Sequence, residues 1–295
     1  MSDLRIALYG MQTSDALHEI MPELLQKLIH RNVEFQVEKN FLSLLEQIPG
    51  INLPEVSTFE TTAELWPDLD LFFSFGGDGT ILSAVTLVQD TCIPIVGVNT
   101  GRLGYLAGIN KSEIIPNLDN ILNHDYKISK RSLVAVQVPD LALKFPFALN
   151  ELTIMRKETT SMITIDAFIE NQLVNSFWCD GLIIATPTGS TGYSLSCNGP
   201  IISPETENLV ITPIAPHNLN VRPLVIHDSS EIRLKVHSRV PEYSLSLDSR
   251  LKSVEVEKEV WLRKADFFIN IVQLNHNNYL ETLRKKLFWG YDRRN

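Results

Sequence analysis

The sequence predicts an α/β domain built on a parallel sheet, followed by a β-rich, sandwich-like domain and a lone C-terminal helix. Three observations carry that expectation. From Arg5 to Ile121, apolar strand-like runs alternate with segments of helical spacing. From about Lys127, short alternating strand patterns follow one another with few helices between them. From Tyr279 to Trp289 the pattern reverts to helix, with Leu280, Leu283, Leu287 and Phe288 sharing one face. The predicted boundaries are 1–126 for the α/β domain, 127–274 for the β-rich domain and 275–295 for the terminal helix.

The elements follow in order. Arg5–Gly10 reads as a buried strand ending at a glycine, and Asp15–Ile29 as a helix with Ala16, Leu17, Ile20, Leu24, Leu25 and Leu28 on its apolar side. Val33–Val37 is a second strand, and part of Asn40–Gln47 a second helix before the breakers Pro49 and Gly50. Leu69–Phe75 is the next strand, followed by a helix. Pro94–Val98 is a further buried strand, and a helix runs from after Asn110 through Ile121. The result is a Rossmann-like alternation, whose ligands are expected beyond the carboxyl ends of the strands. In the second domain, strands are expected at Val134–Val138, Leu152–Met155, Met162–Ile169 and Leu173–Trp178, with Glu170-Asn171-Gln172 as a hairpin turn. A buried strand lies between Asp180 and a hydroxyl-rich glycine turn, and others are expected at Leu209–Ile214, Glu231–Val236, Tyr243–Leu247, Ser253–Val256 and Phe267–Leu274.

Bulk properties exclude several classes. At 295 residues the chain has room for one large or two ordinary domains, and 44% apolar with 21% charged residues is ordinary globular composition. The formal net charge of -9 argues against non-specific nucleic-acid binding, though it leaves room for a local basic pocket. No apolar run approaches membrane-spanning length, and Met1–Arg5 does not open a signal sequence. Cys92, Cys179 and Cys197 are too few and too scattered for a disulfide framework or a zinc site. The expectation is a soluble cytoplasmic protein with no nucleic-acid or membrane partner.

The stretch that organises the chain is Gly76-Gly77-Asp78-Gly79-Thr80, between the Leu69–Phe75 strand and the helix beginning near Ile81. Glycines leave the backbone open to close approach, and a helix N-terminus attracts anions, typically phosphate. An acid among such donors suits a proton-handling or metal-facing group beside the phosphate. It also suits a plain helix cap, and the residues alone leave both readings open. The pattern is neither a Walker loop nor the dinucleotide fingerprint. Asn99-Thr100-Gly101-Arg102-Leu103-Gly104-Tyr105-Leu106 follows the next strand, again with glycines and an aromatic. Asn150-Glu151 pairs an amide with an acid, a combination able to read hydroxyls or a base edge. The longest motif runs from Asp180 through Thr186-Pro187-Thr188-Gly189-Ser190-Thr191-Gly192-Tyr193-Ser194-Leu195-Ser196 to Pro200. Its density of uncharged hydroxyls suits a sugar, an adenine edge and phosphates together.

Gly-Gly-Asp-Gly-Thr resembles the signature shared by NAD kinases, diacylglycerol and sphingosine kinases and, more distantly, phosphofructokinases. Taken with the other motifs, in the same order and spacing, and with Pro213–His217 and Asn220–Ile226, it resembles that of bacterial NAD kinases in particular. The resemblance spans about Phe72 to Ile226. It implies ATP-dependent phosphorylation of the 2′-hydroxyl of the adenosine ribose of NAD, a terminal helix that returns to the first domain, and a homodimer or homotetramer. It implies Asp78 as general base, and Gly76, Gly77, Gly79 and Thr80 as a phosphate cradle. Asn150 and Glu151 would hold NAD by ribose hydroxyls, and Thr188 and Thr191 would contact the adenosine. Asp180, Gly192 and Tyr193 would line the nicotinamide side or a subunit boundary, with Ser196 in the same dinucleotide set. Mg²⁺ or another divalent cation would arrive on the nucleotide phosphates, since no carboxylate cluster suggests a dedicated metal cage.

There are departures from the family pattern. Gly192 stands where alanine is usual, Cys197-Asn198 where a small-residue pair is usual, and Ser249-Arg250 breaks a common Asp-Gly-Gln after Leu247. His217 reads as structural, and Arg284, Lys285, Lys286, Arg293 and Arg294 as the solvated face and end of the last helix. Two rival functions share the signature: a lipid or sphingoid kinase, and a non-catalytic dinucleotide sensor.

Overall fold

A computed structural model describes residues 4–51, 53, 55–157 and 161–290. The start Met1–Asp3 and the tail 291–295, including Arg293 and Arg294, lie outside the described residues. The chain forms two compact units: residues 1–130 with 269–295, and residues 131–268.

The first unit contains β1 (Arg5–Gly10), α1 (Asp15–His30), β2 (Glu34–Glu38), α2 (Lys39–Leu45), β3 (Ser57–Phe59), β4 (Leu71–Gly76), α3 (Asp78–Val88), β5 (Ile95–Asn99), β6 (Ile109–Asn110) and α4 (Lys111–Leu122). Its strands lie parallel in the order β3-β2-β1-β4-β5, with β6 beside β5. The order reverses between β1 and β4, which places the carboxyl end of β4, at Gly76, next to the crevice such a sheet offers a ligand. β1, β4 and β5 are buried almost end to end, as strands covered by helices on both faces must be. The Ser14 hydroxyl caps α1 by accepting the Leu17 N–H (3.2 Å), and Leu17, Ile20, Met21, Leu24, Leu25 and Leu28 of that helix pack onto the sheet.

The second unit begins within β7 (Lys127–Gln137). It continues through β8 (Phe147–Ala148), β9 (Glu151–Arg156), β10 (Ile163–Ile169), β11 (Gln172–Cys179), β12 (Gly181–Ala185), a 3₁₀ turn (Thr188–Thr191), the short α5 (Tyr193–Ser196) and β13 (Asn208–Ile214). After these come β14 (Leu224–His227), β15 (Ile232–His237), β16 (Glu242–Leu247), β17 (Arg250–Glu255) and the first part of β18 (Val260–Gln273). One antiparallel sheet runs β14-β13-β12-β9-β16-β17; β11-β10-β15 and Val260–Leu262 of β18 form the layer opposite. β10, β15 and β16 alternate buried and less buried positions, and their inward side chains share one core with Val134, Leu152, Leu182 and Leu209. Glu170 and Asn171 both have positive φ (48° and 64°), the backbone of the tight primed turn that joins β10 to β11.

The rest of β18 belongs to the first unit, where Ile271 pairs in parallel with Ile95 of β5. α6 (Tyr279–Leu287) follows. Asn278 caps it, Leu283 is its buried residue, and just before it the Asn277 amide donates to the Gly108 carbonyl (3.0 Å). The terminal helix is therefore part of the first unit, as expected. Three short strands went unpredicted: β3, β6 and β8 have two or three residues each, too few to show a period. β14 was also missed, because Leu224–His227 is an edge strand with little burial and no clean alternation.

Candidate active site

In the first unit, β4 ends at Gly76 and α3 opens at Asp78, with Gly77 as its N-cap. A Cβ on Gly76 would lie 2.1 Å from Thr80 Oγ1, so the turn closes only with glycine there. Cβ atoms at Gly77 or Gly79 would meet nothing within 4 Å. That side of the turn is open, and the first N–H groups of α3 have no partner within the helix. Together these suit an anion.

Asp78 ties the two glycine motifs together. Its Oδ2 accepts the Tyr105 N–H (2.8 Å), and its Oδ1 accepts those of Leu106 (2.8 Å) and Ala107 (3.0 Å). The loop that supplies them is shaped by Asn99, whose side chain donates to the Arg102 carbonyl (2.6 Å) and accepts the Gly101 N–H (2.7 Å). Gly104 is obligatory in this contact, since a Cβ there would stand 2.0 Å from Asp78 Oδ1. Asp78 is thus no mere helix cap: its acceptors face the 105–107 backbone, and its side chain keeps 30% of its exposure. Lys286 of α6 lies over the Tyr105 ring, 3.9 Å from its centroid, with Nζ 4.0 Å from Asp78 Oδ2. The sequence pattern put Lys286 on the solvated face; its side chain is 26% exposed and turned inward.

In the second unit, Asn150 and Glu151 open β9 beside the turn after β12. Thr186 joins the two. Its N–H donates to the Asn150 carbonyl (2.9 Å), its hydroxyl to the Leu149 carbonyl (2.5 Å), and its Oγ1 accepts the Gly189 N–H (3.2 Å). A Cβ on Gly189 would sit 2.0 Å from the Asn150 carbonyl oxygen, so this crossing also requires glycine. A Cβ on Gly192 would lie 3.0 Å from Glu151 Oε2 and 3.8 Å from Asn150 Nδ2, which places both side chains of the dipeptide against Gly192. The alanine usual at this position would crowd Glu151.

Asp248 holds the dipeptide's backbone. Its carboxylate accepts the N–H groups of Leu149 (3.1 Å), Asn150 (2.8 Å) and Glu151 (3.3 Å) from a positive-φ turn (φ 53°) between β16 and β17. Arg250 lies 3.5 Å from Asp248 and donates to the carbonyls of Phe145 (2.6 Å) and Phe147. The unusual Arg250 therefore clamps backbone rather than facing solvent. Glu151 is 9% exposed, and among the described residues its buried Oε2 has no hydrogen-bond partner. Burial, and then the Asp248 charge, push its carboxyl up to about 8. Burial likewise raises Asp248, against its three N–H donors and Arg250.

The remaining predicted residues lie in the same unit, all but Asp180 on the turn and short helix after β12. Thr188 is buried, and its carbonyl accepts the Thr191 hydroxyl (3.2 Å). Ser190 is fixed between the Pro187 carbonyl (2.6 Å) and the Ile202 N–H (3.0 Å). Ser194 pairs with Thr212 (2.8 Å), pinning α5 to β13. These two hydroxyls are structural. Tyr193 is 38% exposed, Ser196 is exposed at the end of α5, and Asp180 sits at the opposite end of β12 from Thr186. Arg156 grips Asp180 by Nε (3.1 Å) and by a second nitrogen (3.1 Å). Of the groups that shape the site, Asp248 and Lys286 escaped sequence reasoning as functional, and Gly104 was read only as part of the Asn99–Leu106 motif. Backbone donors and clamps leave no compositional mark.

The fold and these two clusters define an α/β protein with a glycine-rich turn suited to an anion and a β-rich second domain that carries the hydroxyl-rich turn after β12. Comparison with known proteins makes the class specific. The sequence model of the ATP-NAD kinase N-terminal domain matches residues 12–126, and that of the C-terminal domain matches residues 149–273. The chain belongs to the ATP-NAD kinase family. It is 46% identical to an NAD kinase of Christiangramia forsetii over 99% of this chain and all of that one, and 43% identical to an NAD kinase of Flavobacterium johnsoniae over the same shares. Its fold is similar to that of yeast NADH kinase solved with NADH (TM-score 0.87, 24% identity, covering 98% of this chain and 89% of that one).

Proposed function

We propose that this protein is an NAD kinase. It transfers the terminal phosphoryl group of ATP to the 2′-hydroxyl of the adenosine ribose of NAD, giving NADP and ADP. The observation that carries the reading is Asp78, held at the first turn of α3 by three backbone N–H groups beside the open Gly77 and Gly79. In our reading Gly76, Gly77, Gly79 and Thr80 receive the donor phosphates. Asp78 orients the hydroxyl and takes its proton as the new P–O bond forms and the bond to ADP breaks. The three N–H donors fix where the carboxylate sits. Phosphoryl transfer through a loose transition state needs position and charge more than base strength.

Asn150 and Glu151 receive ribose hydroxyls, Thr188 and Thr191 the adenosine, and Gly192, Tyr193 and Ser196 the rest of the dinucleotide. Asp180, committed to Arg156, shapes the boundary of that region. A divalent cation, Mg²⁺ for example, fits as one carried by the triphosphate. Among the described residues no group of three or more His, Cys, Asp or Glu side chains is placed to hold one. Such a cation supplies charge neutralisation at the phosphates, with Asp78 as the nearby carboxylate.

We place the protein in the cytoplasm as a homodimer or homotetramer. Among the described residues no helix is long and apolar enough to cross a membrane. Leu173, Val174 and Trp178 are exposed on β11, apolar area that a second copy would cover. Light scattering on the eluting protein reads the assembly, and a monomer would remove that part of the proposal. The activity is tested by incubating purified protein with NAD, ATP and Mg²⁺ and measuring NADP with an NADP-specific dehydrogenase. ATP-dependent NADP is expected. No NADP from folded protein that binds NAD would make it a sensor, and phosphorylation of a lipid in place of NAD would make it a lipid kinase.

A further inference from the structure

Phosphoryl transfer from a triphosphate gathers negative charge that a protein normally meets with cations. The Gly76–Thr80 turn carries an acid and no cation. Lys286 comes to this turn from α6, about 200 residues on in the chain. Its ammonium rests on the Tyr105 ring, 3.9 Å from the centroid, and 4.0 Å from Asp78 Oδ2. That separation is an electrostatic contact without a short hydrogen bond. Asp78 already accepts three N–H bonds from the 105–107 backbone. Among the described residues no hydrogen bond is formed to Lys286 Nζ, so its three N–H donors remain for an incoming anion. The aromatic face holds the cation in place without using those donors. α6 itself is fixed to the first unit by Leu283, by Asn277 on the Gly108 carbonyl (3.0 Å) and, ahead of it, by His276 near Glu113 (3.1 Å). The helix therefore presents Lys286 at a defined place rather than on a loose tail.

We propose that Lys286 is a further catalytic residue: the cation that meets the donor's phosphates at the Gly76–Thr80 turn, parked against Asp78 and Tyr105 until the nucleotide arrives. Lys285, its neighbour, is 58% exposed and pairs with Glu281 (2.8 Å) along the helix. The two lysines thus offer a matched pair for testing. The inference rests on reading the turn as the donor-phosphate site.

The test compares Lys286→Gln, Lys286→Arg and Lys285→Gln, each checked for an unchanged melting temperature. The readouts are steady-state kinetics in ATP and NAD, and calorimetric binding of inorganic triphosphate. Lys286→Gln is expected to lower kcat/KM for ATP by roughly 10–100-fold and to weaken triphosphate binding, with KM for NAD within about twofold. Lys286→Arg is expected to recover most of the loss, and Lys285→Gln to match wild type. ATP kinetics and triphosphate binding in Lys286→Gln within about twofold of wild type would overturn the inference, as would a loss equal to that of Lys285→Gln or one confined to NAD. Should Lys286→Gln fold poorly, an Arg variant as defective as a Gln variant would also overturn it. Absence of NADP from the wild type would instead strike the underlying activity, and triphosphate binding still reads the cation's role.

Discussion

Two carboxylates stand in the two units, and they live in opposite surroundings. Asp78 is partly exposed and three of its acceptor positions are taken: three backbone N–H groups converge on it, with a lysine beside them. Glu151 is almost wholly buried, and one of its oxygens has no hydrogen-bond partner among the described residues. The first arrangement orients a carboxylate; the second penalises its charge and pushes Glu151 up to about 8. The difference teaches which carboxylate works in which role. In the proposed reaction the group that accompanies the moving proton must be oriented, which suits Asp78. A group that recognises a neutral hydroxyl gains from a buried, unfilled oxygen, which suits Glu151.

The largest expected effect breaks the first half of the comparison. Asp78→Asn should reduce kcat by about 10²–10⁴-fold, because charge and proton acceptance go while shape stays. Gly104→Ala follows. The added Cβ falls on Asp78 Oδ1, a side-chain atom that can rotate away. We expect the fold to survive and kcat to drop by about 10²-fold from the displaced carboxylate, read as kinetics beside an unchanged melting temperature. Gly189→Ala makes an equally close clash, but against the Asn150 backbone, which cannot step aside cheaply. Here stability should fall by about 1–3 kcal/mol and KM for NAD should rise, as measured by denaturant melts and kinetics. Equal outcomes for the two glycines would erase the distinction between a catalytic grip and a structural crossing.

The smallest effect concerns pH. Glu151 is raised in the folded protein from 4.5 to about 8, so the folded state binds the extra proton between those values. Stability from this group is present at pH 4.5 and below, and it is lost as pH rises towards and through about 8. Glu151→Gln cannot ionise. It should therefore stabilise the protein by on the order of 1–2 kcal/mol at pH 8.5 and change little at pH 5. Thermal melts across pH read this, and a parallel offset at both pH values would contradict the burial argument.

Much of this was legible in the sequence, for physical reasons that also mark its limits. Arg5–Gly10 was placed to the residue, since a doubly covered parallel strand is a continuous apolar run bounded by breakers. The Glu170-Asn171-Gln172 turn was legible because a polar run separates two strand-like segments; the turn itself is Glu170-Asn171, and Gln172 already opens β11. The glycine motifs were found, but not the reason for Gly104 or Gly189. Each is required by an atom far away in sequence, an Asp78 oxygen in one case and the Asn150 carbonyl in the other. Arg250 read as a departure from the family pattern, and only the fold turns it onto the Phe145 and Phe147 carbonyls. Lys286 read as solvated because one helix turn of Arg284, Lys285 and Lys286 gives no sign of which cation turns inward.

The division of labour between the two carboxylates is the central claim, and one paired measurement tests it most directly. Asp78→Asn and Glu151→Gln are each assayed for NAD affinity by calorimetry and for kcat at saturating NAD and ATP. The account predicts that Asp78→Asn binds NAD within about threefold of wild type yet loses at least about 10²-fold in kcat, while Glu151→Gln loses chiefly affinity and keeps most of its kcat. Near-normal turnover in Asp78→Asn, or a turnover loss in Glu151→Gln equal to that of Asp78→Asn, would contradict it.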